Sequence, residues 1–565
     1  MTYDIKIAGG TLVDGSGRPG VRGDIGMRDG RIVALGKAPD PAQRTIDAEG
    51  LVVCPGFIDI HTHYDAQILW DRMLTVSPWH GVTTAILGNC GFGIAPTRRE
   101  HRDLIVNTLE KVEGMSVNAL RAGLGDWSFE TFPQYLDLIE RRGTGINVAV
   151  YLGHTPLRLY VMGEAATERS ATDDEIGRMS DILKAGLKAG ALGFATSHSV
   201  NHIGAGGRPV PSFYATSEET RRLAGTLADA ERGIVQVSAG GEVEFENYRA
   251  FAEASGKTLN WSSLLTRRSH PDMHRDQIRR TNELRREGVP IYAQMSCRPL
   301  TLEFHFGEPF PMARLAIFGP TMKADREGKK RLYADPAFRT AFRDVMRGGE
   351  SDGPTARLRA TWGDVEISYC PDEPALEGRL LADAARERGV DAVDLALDLS
   401  LKADFRNRFR ILIANNYDDG IVELLQDDST LMGLSDAGAH ASQLCDACFA
   451  THLLGYWVRE RHAIGLERAV EKLTGLPARV FGLSDRGLLA VGRPADVVVF
   501  DPRTVGASAL RRVADLPAGE DRLIAHAIGM RAVIVNGCLL RDNGTDALST
   551  DGPLPGVLLR NGVAA

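Results

Sequence analysis

Two histidines are the first residues in this chain that could do chemistry together. His61 and His63 stand two apart at the end of the apolar run Val52-Val53 and Gly56-Phe57-Ile58. On a strand, residues i and i+2 share a face, so the two imidazoles converge on one point. Neutral imidazole is a common protein ligand for divalent transition metals. A His-x-His pair at a strand end reads as part of a metal shell, or more plainly as two solvated side chains. Asp436, in Gly433-Leu434-Ser435-Asp436-Ala437-Gly438-Ala439-His440, closes another short apolar segment among small residues that admit a ligand. It suits a metal ligand or general base, or alternatively the cap of a following helix. His440 can reach the same region or can be a surface histidine. Cys90 lies in Gly88-Asn89-Cys90-Gly91 after the strand-like Thr83–Leu87. It is either a functional thiolate approached closely by backbone or a buried small hydrophobe. His154, after Tyr151-Leu152-Gly153, and Ser197 with His198 occupy comparable positions after the next two strands.

These residues need strands to carry them. Residues Ile146–Leu152, Gly193–Ala195, Ile234–Val237, Leu259–Trp261 and Pro290–Ala293 read as short apolar strands. Amphipathic helices are expected at Asp173–Ala189, Glu218–Arg232, Tyr248–Ala254 and Asp276–Glu287. Repeated β-then-α units over more than 400 residues imply a parallel sheet, open or closed into a barrel. No Gly-x-Gly-x-x-Gly follows the first strand, which weakens a dinucleotide-binding reading. The first fifty or so residues alternate as short strands, with a hairpin signal at Asp29-Gly30. Asp496–Asp501 and Ile524–Asn536, with an Asn536-Gly537 turn, read the same way. Two β segments at opposite ends of a chain can pair with each other. Pro299–Thr361 lacks clear βα periodicity and is expected to be an insertion that covers the mouth of a barrel.

Composition narrows the class. A chain of 565 residues implies two or three structural units, and 43% hydrophobic with 25% charged residues is ordinary for a soluble globular protein. The net charge of −8 comes without any basic run, so nucleic acid is not expected as a partner. Neither a secretory leader nor an apolar stretch long enough to span a membrane is found. Seven thinly spread cysteines point to a reducing cytoplasm. Cys445-Asp-Ala-Cys448 has redox or zinc spacing, but no second pair supports it.

Taken in order, the motifs resemble the amidohydrolase superfamily, and within it the N-acyl-D-amino-acid deacylase (D-aminoacylase) group. The resemblance rests on Pro55-Gly56-Phe57-Ile58-Asp59-Ile60-His61-Thr62-His63, Gly81-Val82-Thr83-Thr84, Asn89-Cys90-Gly91 and Gly153-His154. It continues through Gly433-Leu434-Ser435-Asp436, Leu473-Thr474 with Pro477-Ala478, and Gly492-x-Pro494-Ala495-Asp496, nearly the whole chain. It implies a (β/α)₈ barrel over 55–485 and a small β-sandwich built from 1–54 and 486–565. It also implies zinc near His61 and His63, a bridging Cys90, and Asp436 after strand eight as ligand and general base. The group's histidines after strands five and six have no counterpart: the stretches read Val235-Gln236-Val237-Ser238-Ala239-Gly240-Gly241 and Asn260-Trp261-Ser262-Ser263-Leu264-Leu265. Strand four offers no lysine for a carbamate bridge. One zinc ion, or another divalent metal, is therefore expected rather than two, with His270 or His274 as substitutes only through a longer loop.

The implied reaction is metal-dependent amide hydrolysis of an N-acyl compound, an acyl-D-amino acid above all. His154 and His440 would sit against the substrate, and Arg298, with Arg158 as a weaker candidate, would meet its carboxylate. The rivals are hydrolysis of another or a cyclic amide at the altered site, and a metal-free binding relative. Oligomeric state stays open, a homo-oligomer included.

Overall fold

The computed structural model describes residues 2–564, apart from 126, 241–242, 313–314, 349–357 and 360. The first strands are β1 (Tyr3–Leu12), β2 (Val21–Arg28), β3 (Arg31–Gly36), β4 (Ala42–Asp47) and β5 (Val52–Pro55). The glycine pair Gly9-Gly10 does not end β1; the register against β2 slips between Ile7 and Gly10, a bulge within one strand. Asp29-Gly30 joins β2 to β3 as the expected hairpin.

Barrel strands follow: β6 (Phe57–Asp59), β7 (Val82–Leu87), β8 (Asn147–Gly153), β9 (Gly193–Ser197), β10 (Ile234–Ser238), β11 (Thr258–Leu264) and β12 (Ile291–Met295). The eighth, β16 (Thr430–Met432), comes after β13 (Leu300–Phe304), β14 (Glu366–Tyr369) and β15 (Arg408–Ala414). The sheet runs β16-β12-β11-β10-β9-β8-β7-β6. Its neighbouring strands all pair in parallel among the described residues, and a parallel bridge between Thr62 and Ala437 brings its ends together. This is the (β/α)₈ barrel. Its strands are largely buried because helices cover them outside and side chains fill the inside, polar ones such as Gln236, Asn260 and Gln294 included. The helix Asp173–Ala189 forms as its spacing predicts, closed at its start by a Thr172/Glu175 capping box. The helix expected over Glu218–Arg232 is shorter, Ser217–Gly225, and gives way to turns from Thr226.

At the far end, β17 (Val497–Phe500), β18 (Met530–Val535), β19 (Cys538–Asp542) and β20 (Thr545–Asp546) join the N-terminal strands in one nine-stranded sheet. β17 is the link, antiparallel to both β5 and β18. Ile7, Ile25, Ile46, Val53, Val497, Val499 and Ile534 share one buried apolar cluster, so neither terminal segment has this core alone.

Residues 265–274 and 299–420 form a second compact unit. It therefore extends well past the 299–361 stretch, part of which, 349–357, lies outside the described residues. Its sheet is β13-β15-β14, and its core is rich in aromatics, with Phe304, Phe306, Phe318, Tyr333, Phe342 and Phe409 in mutual contact.

Candidate metal centre

The end of β6 delivers His61 and His63 to one place, as the i, i+2 spacing requires. Their rings lie 5.3 Å apart, edge to face, and both are buried. Cys90 comes from the turn after β7, with φ 55°, a left-handed conformation that non-glycine residues adopt at some cost. Gly91 makes the approach possible. A Cβ there would stand 2.7 Å from the backbone of Ala195 and Thr196, so only glycine lets this turn lie on β9. Asp436 follows β16, also left-handed at φ 47°, as are Leu434 (56°) and His440 (49°) beside it.

The donor atoms converge. His61 Nε2 is 3.5 Å from Cys90 Sγ and 3.3 Å from Asp436 Oδ1, and His63 Nε2 is 3.9 Å from the same oxygen. Ligand atoms of His61, His63 and Cys90 all lie within 4.8 Å of one another, the cluster of this kind found among the described residues. Bonds of about 2.0–2.3 Å in a tetrahedral shell place neighbouring ligands about 3.3–3.8 Å apart, so this donor set of two nitrogens, a sulfur and a carboxylate suits zinc.

Supporting contacts fix the ring orientations. His61 Nδ1 faces Gln294 Oε1, and Gln294 Nε2 in turn donates to Asn260 Oδ1. A carbonyl oxygen only accepts, so Nδ1 carries the proton and Nε2 keeps its lone pair for the centre. Burial pulls both imidazoles below their ordinary range, His63 far below, with His61, His440 and His202 adding to the effect. Burial thus favours the neutral rings, the form that a metal ligand requires. Burial likewise pushes the Cys90 thiol far up, with the negative charges of Glu113 and Asp436 in the same direction. A bound cation would reverse that penalty. Asp59, in the same motif, does not join the cluster. It accepts from Ser435 Oγ at 2.6 Å, tying the first strand to the eighth, and burial pushes its carboxyl up to about 7.

Where a second pair of histidines would stand, β10 and β11 present hydroxyls. Ser238 and Ser262 are hydrogen-bonded at 2.8 Å, and Ser238 donates to Cys90 Sγ at 3.6 Å. Gln236 closes the flank, accepting the Cys90 backbone N–H at 2.8 Å and donating to Ser262 at 3.1 Å. His270 and His274 belong to the second unit and are not among the clustered donors found in the described residues.

Three expected substrate contacts are corrected. His154 is fully buried, with Nδ1 on Thr196 Oγ1 at 2.8 Å and Nε2 on Glu219 Oε1 at 3.0 Å, so neither ring nitrogen can meet a ligand. Arg158 pairs with the same Glu219 and is buried with it. Arg298 holds the buried Asp446 at 2.8 Å, a charge pair that a substrate carboxylate would have to break. His440, by contrast, is at the centre's edge. Its Nε2 lies 3.8 Å from Glu113. Cys445 and Cys448 are buried free thiols, and Cys448 donates to the Cys445 carbonyl.

The structure also brings in residues the sequence did not flag. Glu113, almost fully buried, stands 3.4 Å from His63 Nδ1. It sits at the end of a helix far from any motif, so nothing in the sequence marks it. His202 reaches the cavity through a Ser197 contact at 2.6 Å, and burial holds its ring down at about 4. That cavity, about 360 Å³, is lined by His61, Cys90, Asp436 and His202 with Phe245, Tyr248, Trp261 and Arg280.

A parallel barrel carrying this cluster at its C-terminal strand ends is the architecture of a metal-site hydrolase. The Amidohydrolase family profile matches residues 44–540, and the chain belongs to that family. It is 32% identical to the D-aminoacylase of Alcaligenes xylosoxydans xylosoxydans over 95% of this chain and 94% of that protein. It is 31% identical to the N-acyl-D-glutamate deacylase of the same organism, over 95% and 93%. Among solved structures, the N-acyl-D-glutamate deacylase of Bordetella bronchiseptica, complexed with zinc and a phosphonate mimic of the tetrahedral intermediate, superposes with a TM-score of 0.66. Identity there is 26%, over 99% of this chain and all of the other.

Proposed function

We propose that this amidohydrolase cleaves the amide of an N-acyl-D-amino acid, using one divalent metal ion, zinc first, held by His61, His63, Cys90 and Asp436. The observation that carries the reading is the convergence of those donor atoms beside a partly aromatic cavity that His61, Cys90 and Asp436 line. The named activities of the D-aminoacylase and N-acyl-D-glutamate deacylase relatives support the substrate class. The Ser238–Ser262 pair beside Cys90 supports one ion rather than two.

A bound ion of this kind acts as a Lewis acid and brings water toward a pKa of about 7. The chain's own residues do the rest. Asp436 lines the cavity and is the group placed to take the proton of the attacking water and return it to the leaving nitrogen. Water adds to the acyl carbon, the C–N bond breaks, and the products are a carboxylate and a free amino acid. Phe245, Tyr248 and Trp261 form the apolar wall for the acyl group or side chain. Arg280 replaces Arg298 as the guanidinium for the substrate carboxylate. It lines the cavity, lies over the Phe245 ring at 4.4 Å, and pairs with the exposed Glu246, an exchangeable partner. All seven cysteines are free thiols, which supports work in a reducing compartment.

The test is a panel of N-acyl-D- and N-acyl-L-amino acids assayed alongside the metal content of the purified chain. Turnover of the D series with about one metal per chain is expected. Bound metal with turnover only of cyclic amides would move the substrate assignment. Less than half an equivalent, unrecovered on adding zinc, would overturn the reading.

A further inference from the structure

Glu113 has no place in the reaction just described, yet it is buried against the centre. Its helix, Arg102–Val112, ends one residue before it, and its backbone carbonyl accepts the N–H of His440. Its Oε1 stands 3.4 Å from His63 Nδ1 and its Oε2 3.8 Å from His440 Nε2. Nε2 of His63 points the other way, toward Asp436. The next residue, Gly114, has φ 56°, and a Cβ there would lie 3.2 Å from His440 Nδ1 and 3.3 Å from Gln443 Nε2. Glycine is what lets this turn press against the loop after β16.

We infer that Glu113 is a positioning residue for the metal centre, holding His63 in the tautomer that offers Nε2 to the ion and clamping the loop that carries Asp436. The inference rests on the one-metal reading above. Burial pushes the Glu113 carboxyl up, with the charges of Asp436 and Asp65 in the same direction, and a cation held beside it works the other way. In the ionised form it is an acceptor only, so an imidazole facing it carries its proton on Nδ1. The second nitrogen is then a lone-pair donor, and the facing charge raises its basicity. His61 gains the same fixing from the neutral amide of Gln294, so the two ligands differ in what stands behind them: an amide for one, a carboxylate for the other. The contact to the His440 backbone adds a mechanical role. Asp436 is four residues before His440 in a loop with three left-handed non-glycine residues, and such a loop keeps its shape only when neighbours hold it.

The test compares the wild-type chain with Glu113→Ala and the near-isosteric Glu113→Gln. Zinc affinity is measured by chelator competition, the cobalt-substituted site by its visible d–d spectrum, and the fold by thermal unfolding in chelator. Loss of an outer-shell partner costs about 10- to 100-fold in metal affinity, so Glu113→Ala is expected to fall in that range with an altered cobalt spectrum. Its metal-free unfolding should match wild type. Glu113→Gln, whose amide oxygen still accepts from Nδ1, should regain part of the affinity. Equal affinity and identical spectra in wild type and both variants would overturn the inference alone. A wild-type chain that binds no metal would overturn the one-metal reading and the inference with it.

Discussion

Replacing Glu219 by Gln should destabilise the barrel without touching the metal. Glu219 and Arg158 are both fully buried, and Glu219 also receives His154. Burial pushes the Glu219 carboxyl up, but the His154 and Arg158 contacts outweigh it and hold the group at about 2. Relative to its ordinary 4.5, that corresponds to about 3 kcal/mol, at 1.36 kcal/mol per tenfold change in proton affinity. Breaking a buried ion pair by removing one partner costs about 3–5 kcal/mol, because the other charge stays buried, so two routes give the same magnitude. Glutamine keeps the shape and cannot neutralise Arg158. The pH dependence has a definite sign. A carboxylate whose folded pKa is depressed contributes its full stability above about 4.5 and loses it as pH falls toward about 2. Wild type and Glu219→Gln should therefore differ by about 3 kcal/mol at pH 7, and the gap should narrow below pH 4.5. Denaturant unfolding across pH 3–8 measures this. A gap under about 1 kcal/mol at pH 7, or one that does not narrow in acid, would refute the argument that this network is structural. It would also return His154 to the list of groups free to act on a substrate.

Other outcomes follow from the centre and its cavity. Asp436→Ala should lose at least about 100-fold in kcat, the lower range for a general base, with unfolding in chelator unchanged; near-wild-type turnover would remove Asp436 from the proton path. Chelation should abolish activity, and titrating zinc back should restore it with a break at one equivalent; a break at two would contradict the closed Ser238–Ser262 flank. Arg280→Gln should raise KM for acyl amino acids by about 10- to 100-fold, the equivalent of one charge-assisted hydrogen bond, and leave the KM for the matching amide without a carboxylate unchanged.

Local periodicity is what the sequence determined. A spacing of two on a strand puts His61 and His63 on one face whatever surrounds them, and a Thr-x-x-Glu box starts a helix at Asp173 by its own hydrogen bonds. The apolar strands of the barrel, the Asp29-Gly30 hairpin and the pairing-prone β segments at both ends were legible for the same reason: backbone geometry within a few residues sets them. Partnership through space was not legible. His154, His440 and Arg298 carry the same kind of strand-end or loop signature, yet one is held between Thr196 and Glu219, one borders the centre, and one is locked on Asp446. Glu113 arrives from a helix end with no motif around it, and Arg280 from a helix that reads as an ordinary charged surface. Which polar group a buried side chain meets depends on how distant segments pack, and an unpaired buried charge is costly enough that packing, not spacing, decides it. The tertiary structure thus left the His61/His63 anchor where the sequence put it and chose the company it keeps.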